Sequence, residues 1–142
     1  MCNRLASSIV FLLLLYYLQG VLTGLFQSMK LILSDLNATY LDQGLFHSAL
    51  FPGTIKLLWA PFIDSFYWQR LGRRKTWLIP TQYMIGSLLV LSSSHVHNVI
   101  LQQANSGVLS VYSLLGVFTL LSFLTATQDI VVDAWSIVLL PK

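Results

Sequence analysis

The stretch TWLIPTQYMIGSLLVLSSSHVHNVILQQANSGVLSVYSLLGVFTLLSFLTATQ, residues 76–128, contains no Asp, Glu, Lys or Arg. A water-soluble core has no use for so long a charge-free run, whereas a bilayer consumes about 20 apolar residues per crossing. The rest of the chain agrees. Of its 142 residues 56% are hydrophobic and 9% charged, with a mean hydropathy of +0.72, against roughly 25% charged in ordinary soluble domains. In hydrocarbon every backbone donor must be satisfied internally, and an apolar run of about 20 residues does so as a helix. The sequence therefore predicts an all-α, polytopic membrane helical bundle.

Working outward from the charge-free run, spans are expected at about 77–94 and 108–140, separated by SSSHVHNVILQQANSG (92–107), which is polar enough for an extramembrane turn. Pro80 falls in the first turn of the former, where a missing N–H costs little. The latter exceeds one crossing, so it should tilt, kink or protrude. Upstream, residues 7–29 are uncharged between Arg4 and Lys30 and long enough to span. A cleaved leader is the rival reading, but its apolar core is usually only about 7–15 residues. Gly20 and Gly24 make a GxxxG that admits a close helix neighbour, and Gln19 is a polar group in need of a partner. The remaining span, about 45–64, contains Pro52, Gly53, Lys56 and Pro61. Proline breaks of this kind are tolerated where the freed carbonyls face protein or a wet cavity, as in the wall of a transport path. Four transmembrane helices in one domain, 1–142, result.

Four of the eight basic residues lie in RLGRRK (70–75), whereas the loop after the first span carries Lys30 against Asp35 and Asp42. The excess of positive charge predicts a cytoplasmic N-terminus and a cytoplasmic 70–75 loop. Asn37-Ala38-Thr39 is an acceptor sequence for N-glycosylation and falls on the opposite side. Asp129 and Asp133 end the charge-free run at the cytoplasmic end of the last span and, four residues apart, share one helix face. Asp64 is a third acid beside the same loop. With Arg70, Arg73 and Arg74 these acids form a charged cluster, either a latch broken during a conformational change or a static anchor for helix ends. Lys56 is the only basic residue inside a predicted span, and an intramembrane lysine is a functional hypothesis by default. Its alternatives are snorkelling to a surface or pairing with Asp129. Trp59, Tyr83 and Gln128 can stack on or bond to an aromatic solute, although aromatic residues in spans more often pack.

Enzyme chemistry finds little support. His95 and His97 lack nearby Cys, Asp or Glu and make a weak metal set, so no metal is expected. Side chains one helical turn apart do not share a proton as an aspartyl dyad must. The single Cys2 supports no internal disulfide, no glycine-rich phosphate loop occurs, and no cofactor is implied. The net charge of +3 is concentrated at the 70–75 flank, which points to the lipid bilayer as partner and not to nucleic acid.

Residues 55–83, IKLLWAPFIDSFYWQRLGRRKTWLIPTQY, together with residues 125–135, TATQDIVVDAW, resemble the acetyl-coenzyme A transporter family of the major facilitator superfamily. YYLQG (16–20) and LILSDLNATYLDQG (31–44) resemble the start of those transporters. Bacterial muropeptide permeases share the first two blocks. The resemblance implies part of the N-terminal half of a major facilitator fold, alternating access, acetyl-coenzyme A as the transported solute, and the endoplasmic reticulum membrane. The superfamily's loop motif, GxxxD(R/K)xGRR, is present in altered form. Ala60 stands where its first Gly would be, and Asp64 lies eight residues before Gly72 instead of three. By resemblance Asp64, Arg70, Arg73, Arg74 and Asp133 form the gate, with Asp129 either its helper or one turn deeper. Lys56, Gln128 and Asp129 are then the expected substrate-binding residues, Lys56 reading phosphate. A facilitator has about twelve spans, so the remaining helices of a longer chain are expected partners. The alternatives are a muropeptide-permease-like facilitator and a small membrane protein acting as an assembly partner.

Overall fold

The computed structural model describes residues 2–36, 38–66, 72, 75–106 and 111–139. Asn37, Arg70, Arg73 and Arg74, singled out above, lie outside them. Among the described residues the chain is helical without strands, in six helices: α1 (Cys2–Asp35), α2 (Tyr40–Ser48), α3 (Phe51–Thr54), α4 (Lys56–Ser65), α5 (Lys75–Ser106) and α6 (Val111–Leu139). Three apolar stretches within them are long enough to cross a membrane, Ser7–Asp35, Lys75–Leu101 and Tyr112–Ile137. This is a multi-pass, all-α membrane bundle.

Many hydroxyls of the long helices are satisfied within their own helix. Thr23, Ser28, Thr81, Thr119, Thr125 and Thr127 each donate to the carbonyl four residues earlier on their own helix, at 2.7–3.1 Å. Folding the hydroxyl back in this way spares an apolar surface an unpaired donor. At 34 residues and about 1.5 Å per residue, α1 is about 51 Å long, so it outruns a hydrocarbon core of about 30 Å.

Where a fourth span was expected, three short helices follow one another, none long enough to cross alone. Asp42 starts α2 by accepting from both the backbone N–H and the hydroxyl of Thr39, in a capping-box arrangement. Pro52 then removes the donor that would have continued the helix. The chain instead closes tight turns, Ala49 N–H to Phe46 O and Leu50 N–H to His47 O at 3.1 Å, and Gly53 N–H to Leu50 O at 3.0 Å. A second joint lies at Ile55 (φ −100°, ψ 13°), where Leu58 N–H bonds Ile55 O at 2.9 Å. Pro61, by contrast, is carried inside α4.

The helix α6 is the hub, packed against each of the other five. Half of its membrane-crossing stretch is buried, against 28% for α1 and 17% for α5. One apolar cluster joins Leu22, Phe26 and Leu33 of α1 and Phe46 of α2 to Leu114, Phe118 and Leu121 of α6. Within it the Phe118 ring meets Phe26 and Phe46 edge-on, with centroids 5.2 and 5.0 Å apart. The second cluster gathers Leu12 and Leu15, Ile63, Leu78, Val131 and Val132. Because lipid is as apolar as these side chains, close packing and polar contacts, and not water exclusion, hold such an interface. The segments α2 to α4 thus run along α6 in its own direction, from Phe46 beside Phe118 to Ile63 beside Val131 and Val132.

Two expectations need correction. Residues 92–106, nearly all of the stretch read as an extramembrane turn, continue α5 through Ser106. Their apolar members Val96, Val99 and Ile100 recur at helical spacing and pack on the first cluster, while the ring of His95 hydrogen-bonds the Ser113 hydroxyl of α6. Periodicity outweighed polar composition. Because α5 begins at Lys75, Pro80 also lies inside the helix and not in its first turn.

Candidate functional site

Lys56 opens α4, directly after the joint at Ile55. A cation at a helix N-terminus faces the positive end of the helix dipole, so it needs nearby acid. Two carboxylates supply it. The Lys56 ammonium is bonded to Asp129 Oδ2 and lies 3.8 Å from Asp133 Oδ2, the two acids standing one turn apart on α6. Each acid has a second partner on α1. Gln19 Nε2 donates to Asp129 Oδ1 at 2.9 Å, and the Tyr16 hydroxyl donates to Asp133 Oδ1 at 3.0 Å. Five side chains from three helices form one network, in which pairs three or four residues apart on α1 and α6 face each other.

The network is graded in exposure. The side chains of Lys56, Asp129 and Asp133 are 29%, 36% and 52% exposed, so Asp129 is the inner acid and Asp133 the outer one. Above it opens a cavity of about 200 Å³ lined by Gln19, Thr23, Gln27, Lys56, Ser122 and Asp129 among others. Its charged lining residues, among those described, are Lys56 and Asp129. One ammonium beside two carboxylates leaves a charge of −1 when all three are ionised.

Of the expected residues, the fold brings together Lys56, Asp129 and Asp133. Asp129 lines the cavity, one turn along α6 from Asp133. Asp133 meets Tyr16 and Lys56; Arg73 and Arg74, its expected partners, lie outside the described residues. Asp64 is exposed, two turns along α4 from Lys56, and makes no ion pair among the described residues. Gln128 is fully buried, does not line the cavity, and neither amide atom has a partner among the described residues. Successive helix residues point about 100° apart, so the neighbour of Asp129 looks elsewhere. Trp59 packs on Phe123, centroids 5.0 Å apart, and Tyr83 is exposed. His95 and His97, two apart on a helix, diverge, and among the described residues no three potential metal ligands converge.

Near the 70–75 loop, Gly72 takes a φ of +84°, which disfavours any other residue. Its carbonyl accepts from the Thr76 hydroxyl at 2.8 Å, and Trp77 Nε1 donates to Phe66 O, so the end of α4 is tied to the start of α5. Sequence reasoning missed Tyr16 and named Gln19 without a partner. The available signal was their three-residue spacing, which matches the two acids.

Comparison with known proteins gives this geometry a context. The chain is 38% identical to an uncharacterized protein of Schizosaccharomyces pombe and 34% identical to an uncharacterized membrane protein of Saccharomyces cerevisiae, each over 92% of its length. It is 28% identical over 84% of its length to an AmpG-like transporter of Rickettsia prowazekii. It spans only 24%, 26% and 28% of those three relatives. No solved structure matches. The family model described as acetyl-coenzyme A transporter 1 matches residues 8–142, and with that match over nearly the whole chain, this protein belongs to the acetyl-coenzyme A transporter family.

Proposed function

We propose that the polypeptide moves acetyl-coenzyme A from the cytosol across the endoplasmic reticulum membrane by alternating access, as a carrier and not an enzyme. The observation that carries this reading is Lys56, held between Asp129 and Asp133 at the wall of a cavity inside a membrane bundle. A polyanionic solute needs a cation within the membrane, and a lysine kept there by removable carboxylates is available for exchange. Lys56 and Asp129 are the substrate-facing pair. Asp133 belongs to the gate, together with Asp64, Arg70, Arg73 and Arg74. The N-terminus and the 70–75 loop face the cytosol, and the Asn37 sequon faces the lumen, where it accepts glycan. Gln128 would contribute only if the bundle opened around it.

Uptake of labelled acetyl-coenzyme A by proteoliposomes holding the full-length polypeptide tests this. Lys56→Ala is expected to raise KM about 10- to 100-fold, equivalent to roughly 1.5–3 kcal/mol for a charge-assisted hydrogen bond, and Asp133→Asn to slow turnover. No uptake above empty liposomes would sink the substrate assignment. The AmpG-like relative favours a second reading, a muropeptide-type solute; uptake of muropeptide in its place would select it.

A further inference from the structure

We infer that Lys30, Gln43 and His47 form a second binding site, for a phosphate group, at the opposite end of the bundle from the Lys56 network and in line with it along one face of α1. Its place on a solute's route rests on the transport reading above, whereas the site itself is testable without it.

Lys30 is a cation that lacks what Lys56 has. It is half-buried inside the membrane-crossing stretch of α1. The acids of the chain are Asp35, Asp42, Asp64, Asp129 and Asp133, all of them described, and none forms an ion pair with it. Asp129 and Asp133 belong to the Lys56 network, and Asp64 lies farther along α4. Asp42 accepts from Thr39. Asp35 is exposed and, five residues on, points about 140° around the helix from Lys30. A cation within the membrane and without a carboxylate beside it calls for an anion from elsewhere.

Its surroundings suit one. Lys30 lines a cavity of about 390 Å³ with Gln43 and His47 of α2, on a floor of Leu33 and Phe46 that is almost wholly buried. That volume lies within the range of small-molecule sites, about 300–1,000 Å³, and no carboxylate is among the described lining residues. Gln43 gives one amide N–H to Ala38 O at 3.2 Å, which pins the side chain and leaves a second N–H to donate. The imidazole of His47 offers an N–H in either protonation state. An ammonium and two further donors around one hollow match the several acceptor oxygens of a phosphate.

The same face of α1 leads there from Lys56. Gln19, Thr23 and Gln27 line the cavity above the Lys56 network, and Lys30 continues them at spacings of four, four and three residues. All four therefore point within an arc of about 80°, and Lys30 lies about 16 Å along the helix from Gln19. A phosphate leaving Lys56 along this polar face next meets a cation at Lys30.

Titration calorimetry with inorganic pyrophosphate on the purified full-length polypeptide tests the site, in a Lys56→Ala background so that only the second site is read. Binding is expected to persist there and to weaken about 10-fold or more when Lys30→Gln is added, as for loss of a charge-assisted hydrogen bond. Lys30→Arg should retain it, and melting curves recorded alongside separate loss of the site from loss of the fold. No binding once Lys56 is replaced, or equal binding with and without Lys30, overturns the inference. Lys30-dependent binding of pyrophosphate with none of acetyl-coenzyme A supports the site and discards the proposed solute. Lys30-dependent binding of short-chain phosphatidylglycerol, with none of pyrophosphate, gives the site to a lipid headgroup and overturns its place on the solute's route.

Discussion

At the scale of single residues, the polar groups of this bundle divide into those that found partners and those that did not. Gln19 and Gln128 are both buried amides in long apolar helices. The first spends a donor on Asp129, whereas the second has both amide atoms unpaired among the described residues. An unsatisfied buried amide costs about 1–3 kcal/mol, so Gln128→Met is expected to raise the unfolding midpoint in detergent by a few degrees. Gln19→Leu should lower it by a similar amount, since it strips Asp129 of a donor. Thermal scans of the two variants decide this, and a loss of stability in Gln128→Met would show that the amide is engaged after all. That Asp129 and Asp133 share a face was readable from their spacing alone, and so was the oddity of Lys56. Their α1 partners were not, because Tyr16 and Asp133 are 117 positions apart, and one sequence carries no record of which distant faces meet.

At the scale of elements, the lesson is how composition and period compete. The runs at 7–29 and 108–140 are apolar all round, and they became α1 and α6 with ends displaced by a few residues. The expected span at 45–64 was suspected of breaks for the right reason. Yet proline position did not say where they fall: Pro52 marks one, Pro61 sits inside α4, and the joint at Ile55 has no proline. The tail of α5 was misread because its serines and histidines hid the apolar stripe. If the helix holds there, Val99, buried beneath α6, contributes packing. Val99→Ala is then expected to cost about 1–2 kcal/mol, while Val90→Ala, at an exposed position, costs little. Chemical unfolding of both measures the contrast, and equal effects would argue for the turn.

At the scale of the whole molecule, α6 is the common neighbour and the outward faces are greasy; Leu13, Tyr17, Leu57, Leu58, Val90 and Leu91 are all exposed, as suits contact with lipid or further helices. Topology is testable as a unit. In cells, Asn37→Gln is expected to abolish an endoglycosidase-sensitive mass shift, and a sequon moved into residues 66–74 should stay unmodified. Glycan on the moved sequon would invert the proposed orientation. The hub arrangement has a further consequence for biogenesis. Translation delivers α1 to α5 before α6, and apart from the contacts of α1 with α2 and of α3 with α4 those helices have few interfaces among themselves. The lysine of α4 accordingly enters the membrane before either of its counterions has been made. Until α6 emerges, its charge must be sheltered by water, lipid headgroups or the insertion machinery, so these six helices come together not as a sequence of finished hairpins but in one event that waits for α6.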